Sequence, residues 1–151
     1  MELKDLYSLV VVEDPRHVRD WYVRHLGFTV AFEADWFVYL VSGGTGRRFG
    51  IAFMREGLDQ QLPQFRQRFA GDSLILSVEV EDARMALDSV RATGLEPAVE
   101  LRDEPWGQRH FLLRDPAGVW VDIIQPIEPD PAFFGAEVAA QLQEAVEDSH
   151  G

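Results

Sequence analysis

Two polar residues that could do acid–base or binding chemistry stand close together in the second half of the chain, His110 and Asp122. Both lie in stretches rich in strand-forming residues, which are joined by a turn at Asp115–Gly118. Because successive side chains of a strand alternate in direction, Trp120, Asp122 and Ile124 are predicted to share one face. A carboxylate between two apolar residues on such a face is costly unless it is paired, protonated or solvated.

Two interpretations of Asp122 remain open. It could form a salt bridge with a strand arginine such as Arg102 or Arg109, which would make it structural. It could instead meet the ammonium or hydroxyl group of a ligand, or act in acid–base chemistry together with His110 or Tyr7. The sequence has no cysteine and no local Ser-His-Asp or Cys-His arrangement, so it indicates no nucleophile.

Composition restricts the classes of function. The chain has 151 residues, which suits a single domain (1–151), and a net charge of −12, which disfavours a nucleic-acid partner. No apolar run approaches the roughly 18 residues of a membrane span, so we predict no membrane partner and a cytoplasmic location. Of the 14 basic residues only Lys4 is a lysine, which hints at a GC-rich bacterial genome.

Two predicted helices locate an internal repeat. Asp14 is the predicted N-cap of the first helix and Gly27 its end, and Asp82 and Gly94 have these roles in the second helix. The sequences around the caps, VEDPR and VEDAR, lie 68 residues apart. Each helix follows one predicted strand and precedes three more, so the chain is predicted to contain two βαβββ units.

The predicted fold class is therefore α+β, with two tandem βαβββ modules and a C-terminal helix. The predicted strands outside the Trp106–Pro126 stretch are Leu6–Val12, Phe28–Phe32, Trp36–Val41, Arg48–Met54, Leu74–Val80 and 95–101. The predicted division is a first module at 5–55, a linker at 56–72, a second module at 73–126 and the C-terminal helix at 130–148.

The two units, with WGQRxF and DPxGxxVD closing the second, resemble the glyoxalase/bleomycin-resistance/extradiol-dioxygenase group, the vicinal oxygen chelate superfamily, over about residues 5–126. The resemblance implies a cup-shaped mixed sheet that holds a ligand or a metal, and a homodimer. Metal-using members place ligands at four strand positions, which fall here on Tyr7, Ile75, a residue within 49–54, and Asp122. Catalytic metal sites generally need three protein ligands, so we predict no metal and no cofactor.

The resemblance also implies which side chains line the cup, because positions that match metal sites point into it. An alternative is that the aromatic residues merely fill a small core. Residue types and strand alternation extend the set, although the facing of residues 36–41 and 49–54 is not fixed by the sequence. The predicted ligand-binding residues are Tyr7, Trp36, Val38, Phe53, Ile75, Trp106, His110, Trp120 and Asp122.

The missing metal ligands favour a function without catalysis. We predict a binding protein of the bleomycin-resistance type that sequesters a bulky aromatic natural product or antibiotic, cationic or uncharged, by stacking and a few polar contacts. The alternative is an enzyme, a glyoxalase-like lyase, isomerase or dioxygenase with an atypical metal site or with Asp122 and His110 as acid and base. The predicted partners are a small molecule and a second copy of the chain.

Overall fold

In a computed structural model of the protein, an aspartate side chain caps the N-terminus of each helix. The Asp14 carboxylate accepts hydrogen bonds from the backbone N–H groups of Arg16 and His17, and Pro15 occupies the first helical position. The first helix ends at Gly27, whose φ of 68° is left-handed and therefore suits a residue without a side chain. The second helix begins after Asp82, whose carboxylate accepts a hydrogen bond from the backbone N–H of Met85.

The structure describes residues 1–44, 46–133 and 135, and the positions 140, 141, 144, 147 and 148. Within these residues two four-stranded sheets each carry one helix. The elements are β1 (Tyr7–Val12), α1 (Pro15–Leu26), β2 (Thr29–Ala34), β3 (Phe37–Val41), β4 (Gly50–Arg55), β5 (Ile75–Glu79), α2 (Ala83–Ala92), β6 (Val99–Glu104), β7 (Gln108–Arg114) and β8 (Trp120–Pro126).

The two sheets have the same topology. Their strand orders are β1-β4-β3-β2 and β5-β8-β7-β6. In each sheet the first strand of the module pairs in parallel with the fourth, and the remaining neighbours are antiparallel. The predicted α+β class with two tandem modules is confirmed. In this arrangement β1 and β5 are edge strands, each with a main-chain edge that faces away from its own sheet.

One hydrophobic core joins the two modules. It contains apolar residues from the helix-facing side of both sheets and from both helices, including Val18, Phe53, Phe111 and Val121. No described helix is long and apolar enough to cross a membrane. The exposed faces of the sheets, opposite the helices, are therefore the surfaces on which a binding site has to be sought.

Some boundaries differ from the predicted ones. The strand predicted at 95–101 runs instead from Val99 to Glu104, because Pro97 has no N–H to contribute to a ladder. Residues 56–72 contain a single 3₁₀ turn, Pro63–Phe65. The predicted C-terminal helix at 130–148 lies mostly outside the described residues; residues 131–133 form a turn, and the isolated described positions from 140 to 148 have helical conformations.

Candidate functional site

The face of the second sheet that is turned away from α2 is open, and we call this surface the second cup. Side chains alternate in direction along β8. Val121 and Ile123 are buried in the core, so their neighbours on the strand point to the open face. Strand register extends the surface to β5, β7 and β6. Its residues, strand by strand, are Ile75, Ser77 and Glu79; Trp120, Asp122 and Ile124; Gln108, His110, Leu112 and Arg114; and Arg102 and Glu104.

A histidine held between two carboxylates occupies the middle of the second cup. His110 Nδ1 lies 2.8 Å from Asp122 Oδ1, and His110 Nε2 lies 3.2 Å from Glu104 Oε1. The side chains are only 10%, 13% and 10% exposed for His110, Asp122 and Glu104. Arg102 Nε contacts the same Glu104 oxygen at 2.6 Å. The cluster is therefore a nearly buried network of two acids and one imidazole, to which the 60%-exposed side chain of Arg102 is attached.

The hydrogen-bond geometry restricts what His110 can do. A neutral imidazole has one N–H and can donate to only one carboxylate, so both bonds form together when the ring is doubly protonated or when one carboxyl is protonated. In this arrangement neither ring nitrogen is left to take a proton from a substrate. Asp122 Oδ2, in contrast, makes no hydrogen bond to the described residues, and this oxygen can accept one from a ligand.

Asp122 is therefore paired, but not with the arginines considered as its salt-bridge partners. Arg109 forms a two-point ion pair with Asp103, at 2.7 and 2.9 Å, on the other face of the sheet. Arg102 pairs with Glu104. The partner of Asp122 is His110, which lies on the neighbouring strand and within the same cup. The interpretation in which Asp122 forms a salt bridge with a strand arginine is therefore wrong for both Arg102 and Arg109.

Trp106 lies at the rim of the second cup, just before β7. Its indole N–H donates to Gln108 Oε1 at 2.8 Å, and its ring meets that of His110 edge-on, with centroids 6.4 Å apart. A cavity of about 620 Å³ opens beside it, lined by Ser77, Glu79, Trp106, Gln108, Ile124 and the segment 126–129. This volume is within the range of small-molecule sites.

Trp120 lies at the opposite end of the second cup and has a basic neighbour. The guanidinium carbon of Arg114 stands 4.7 Å from the centroid of the indole ring, a cation–π distance. Arg114 is also bound to Asp72 at 2.6 Å. Ile75 is the register partner of Trp120 on the other side. One face of this indole is therefore already in contact with a charged side chain of the same chain.

The open face of the first sheet, which we call the first cup, is aromatic, and among the described residues it has no charge cluster comparable to that of His110, Asp122 and Glu104. Tyr7 and Tyr39 have ring centroids 5.1 Å apart, and Tyr39 lies so close above Gly50 that a side chain there would meet its ring. Trp36 lies in the turn between β2 and β3, 42% exposed, with its ring 5.4 Å from that of Phe37. Of these two predicted lining residues, Tyr7 belongs to the first cup, and Trp36 stands outside the strands that form it.

Val38 and Phe53 do not line either cup. Both are 0% exposed and lie in the core, where Phe53 packs against Tyr22 of α1 with ring centroids 5.2 Å apart. The register pairs Val38 with Phe53, so the two residues share the helix-facing side of the sheet. Their placement in the pocket lining was wrong, because β3 and β4 have the opposite facing at these positions.

A larger opening separates the two modules. A cavity of about 820 Å³ is bounded by β5 on one side and by the start of β4 with the end of α1 on the other. Among its lining residues, Ile75 and Ser77 also belong to the second cup, whereas Phe28 and Gly50 come from the first module. Ile75 therefore lies where the second cup meets the junction of the modules.

The sequence did not indicate Glu104 or Arg114 as residues of the second cup. Arg114 could have been found by folding β7 onto β8 about the turn at 115–118, since it pairs directly with Trp120. Glu104 could not, because β6 has a register shift between Val99 and Arg102 that changes which residues face the cup.

The glyoxalase/bleomycin resistance protein/dioxygenase superfamily model matches residues 6–123. The chain belongs to this superfamily. A search of curated protein sequences finds no relative. The fold of the superfamily explains why both modules have the same strand order around an open face.

Solved structures with this superfamily's fold resemble the chain at low sequence identity. A glyoxalase/bleomycin resistance protein/dioxygenase from Nocardioides has 20% identity and a TM-score of 0.69, covering 85% of this chain and 86% of its own. TioX from Micromonospora sp. ML1 has 23% identity, a TM-score of 0.63 and coverages of 83% and 100%. TnmS3, an antibiotic binding protein from Streptomyces sp. CB03234, has 20% identity, a TM-score of 0.61 and coverages of 83% and 97%.

The positions at which the resemblance implies metal ligands can be compared with the side chains found here. Tyr7 and Ile75 occupy two of them, and neither offers an imidazole or a carboxylate. The segment 49–54 has no such group either, which leaves Asp122. Within the described part of the chain no three His, Asp or Glu side chains are placed to hold a metal ion. The residues do not fit the metal centre that the superfamily's enzymes use.

Proposed function

We propose that the protein is a non-catalytic binding protein of the bleomycin-resistance type, which sequesters a bulky aromatic natural product or antibiotic. One observation carries the proposal: Asp122 Oδ2, an acceptor without a partner among the described residues, lies between two tryptophans on an open face. Trp106 and Trp120 offer stacking surface, and the carboxylate offers a hydrogen bond or a charge to the ligand. The similarity of the fold to that of TnmS3, an antibiotic binding protein, supports this class of ligand.

A catalytic role through His110 and Asp122 is the second candidate, and the geometry of the cluster disfavours it. A general base needs a nitrogen within hydrogen-bond reach of the proton that it removes. Both nitrogens of His110 are engaged by carboxylates at 2.8 and 3.2 Å. A lyase, isomerase or dioxygenase with an atypical metal site would also have to find ligands other than Tyr7 and Ile75.

We further propose that the protein acts as a homodimer in a bacterial cytoplasm. Edge residues of both modules support the dimer, because Tyr7 and Ile75 are 50% and 52% exposed although they are large and apolar. Both residues lie on edge strands whose outer main-chain groups can pair with another strand. Analytical ultracentrifugation should give twice the mass of the chain, and a monomer at all concentrations would contradict this part.

A binding assay tests the function directly. Tryptophan fluorescence is expected to be quenched by planar aromatic antibiotics, with bleomycin and an anthraquinone such as daunorubicin as the first compounds. Asp122→Asn should weaken binding of a cationic compound by about tenfold or more, since a hydrogen bond to a charged group contributes about 1.5–3 kcal/mol. Asp103→Asn is the matched control, because Asp103 is paired with Arg109 outside the cup.

Metal analysis separates the two candidates. Protein purified without chelator is expected to hold no stoichiometric nickel, zinc, iron or manganese. Stoichiometric metal in the wild type that disappears in Asp122→Ala would contradict a metal-free binding protein. If a broad panel of planar compounds gave no quenching, the binding function itself would be refuted. If compounds bound but Asp122→Asn left their affinity unchanged, the role of Asp122 in binding would be refuted.

A further inference from the structure

The stacking face of Trp120 is covered by a side chain of the protein itself. The guanidinium carbon of Arg114 lies 4.7 Å from the indole centroid, and the two residues are direct cross-strand partners. Arg114 also lies over Gly118, where a Cβ would stand 3.6 Å from its Nη2. This is an ordinary van der Waals distance, so the position of the arginine over the indole is set by the strand pairing.

A guanidinium on an indole is the contact that a cationic aromatic ligand would itself make in the second cup. A ligand that stacks on this face of Trp120 has to exchange with Arg114. At a partly exposed site a cation–π contact changes an equilibrium by about two- to fivefold. Arg114 therefore competes with a ligand to a degree that a binding assay can measure.

The second contact of Arg114 holds it weakly. Asp72 belongs to the segment between the modules, and the Arg114 and Asp72 side chains are 43% and 73% exposed. Ion pairs at such exposed positions contribute little to stability. The arginine can consequently leave the indole without the fold losing a strong interaction.

The geometry points to Arg114 as the residue that sets the ligand specificity of the second cup, by acting as an internal competitor for the stacking face of Trp120. This inference rests on the proposed binding function. It predicts a direction: Arg114 disfavours cationic ligands more than uncharged ligands of the same shape. Any ligand has to replace the guanidinium on the indole. A cationic ligand is in addition repelled by the positive charge of Arg114, which stays nearby, whereas an uncharged ligand is not.

A measurement without ligand tests whether Arg114 covers the indole ring of Trp120. Acrylamide quenching of Trp120 is obtained as the difference between each protein and its Trp120→Phe version, which removes the signals of the other tryptophans. Arg114→Gln is expected to raise the quenching of Trp120. Arg109→Gln is the matched control, because Arg109 is on the same strand with an equivalent aspartate pair but on the opposite face. Equal quenching in the wild type and Arg114→Gln would overturn the inference.

Two tricyclic probes test the competition, the cation 9-aminoacridine and the uncharged acridone. Arg114→Gln should bind 9-aminoacridine about two- to fivefold more tightly than the wild type and should gain less for acridone, and Arg109→Gln should match the wild type. An unchanged or weaker affinity of Arg114→Gln for 9-aminoacridine would overturn the inference while the binding function stands. If neither probe bound any variant, the binding function would fail and the ligand role of Arg114 with it.

Discussion

The hydroxyl of Tyr22 joins the two modules, and its removal is expected to destabilise the whole chain. Tyr22 lies on α1 and donates to Asp115 Oδ2, in the β7–β8 turn, at 2.8 Å. The other oxygen of Asp115 accepts from the backbone N–H groups of Ala117 and Val119 at 2.8 and 2.9 Å. Both residues are buried, and burial raises the pKa of the Tyr22 hydroxyl and that of the Asp115 carboxyl.

The substitution Tyr22→Phe keeps the ring and removes only the donor. The ring contacts with Phe53 and Phe28, at centroid distances of 5.2 and 5.5 Å, remain available. Asp115 Oδ2 then lies buried without a hydrogen bond, a situation that costs about 1–3 kcal/mol and more for a charged group. We expect a loss of about 2–3 kcal/mol in the free energy of unfolding, or a decrease in melting temperature of about 4–12 °C.

Chemical denaturation followed by circular dichroism measures this loss, and Tyr39→Phe is the matched control. The hydroxyl of Tyr39 also donates to an aspartate, Asp5, but at 3.4 Å and at the surface. Removal of the Tyr39 hydroxyl should change the free energy of unfolding by less than about 0.5 kcal/mol. Equal effects of the two substitutions, or no effect of Tyr22→Phe, would refute the assignment of the Tyr22–Asp115 bond as a link between the modules.

Two further perturbations address the same core. Burial raises the pKa of Asp115 above its unfolded value, so the folded chain binds more protons than the unfolded chain between the two pKa values. The free energy of unfolding should therefore decrease as the pH rises through that window. In a pH-dependent denaturation series, Asp115→Asn should lack this decrease. Phe53→Ala should lower the free energy of unfolding by about 3–5 kcal/mol because its side chain is fully buried. Trp36→Ala, in the β2–β3 turn and 42% exposed, should cost far less in the same chemical denaturation assay. Comparable losses would contradict the facing assigned to β4.

The modules and the facing of β8 could be predicted from the sequence because each has a marker. The paired caps at Asp14 and Asp82 reveal the repeat, and Asp122 marks one side of its strand as different from the other. Strands β3 and β4 lack such a marker. Ala52, Phe53 and Met54 are all buried, so apolar residues occupy both faces and alternation gives no direction. Val38 and Phe53 were misplaced for this reason.

The partners of Asp122 could not be predicted, because they depend on tertiary pairing. His110 meets Asp122 through the β7–β8 register, and Glu104 reaches His110 only after the irregularity in β6. Arginines on β6 and β7 were reasonable partners by proximity in sequence. The structure gives each of them a different acid, so that the Asp122 carboxylate is left with an imidazole and with one oxygen that has no partner among the described residues.

The unequal distribution of charge between the two cups constrains any assembly of the chain. A second copy could cover the aromatic first cup with a gain of about 25 cal/mol for each Å² of apolar surface removed from water. The same coverage of the second cup would bury Asp122 Oδ2 without a donor, which costs several kcal/mol. A dimer that closes over this carboxylate must therefore supply a donor or leave a space beside it. A space of that kind, with tryptophans at both ends, is the compartment that an aromatic ligand with a hydrogen-bond donor would fill.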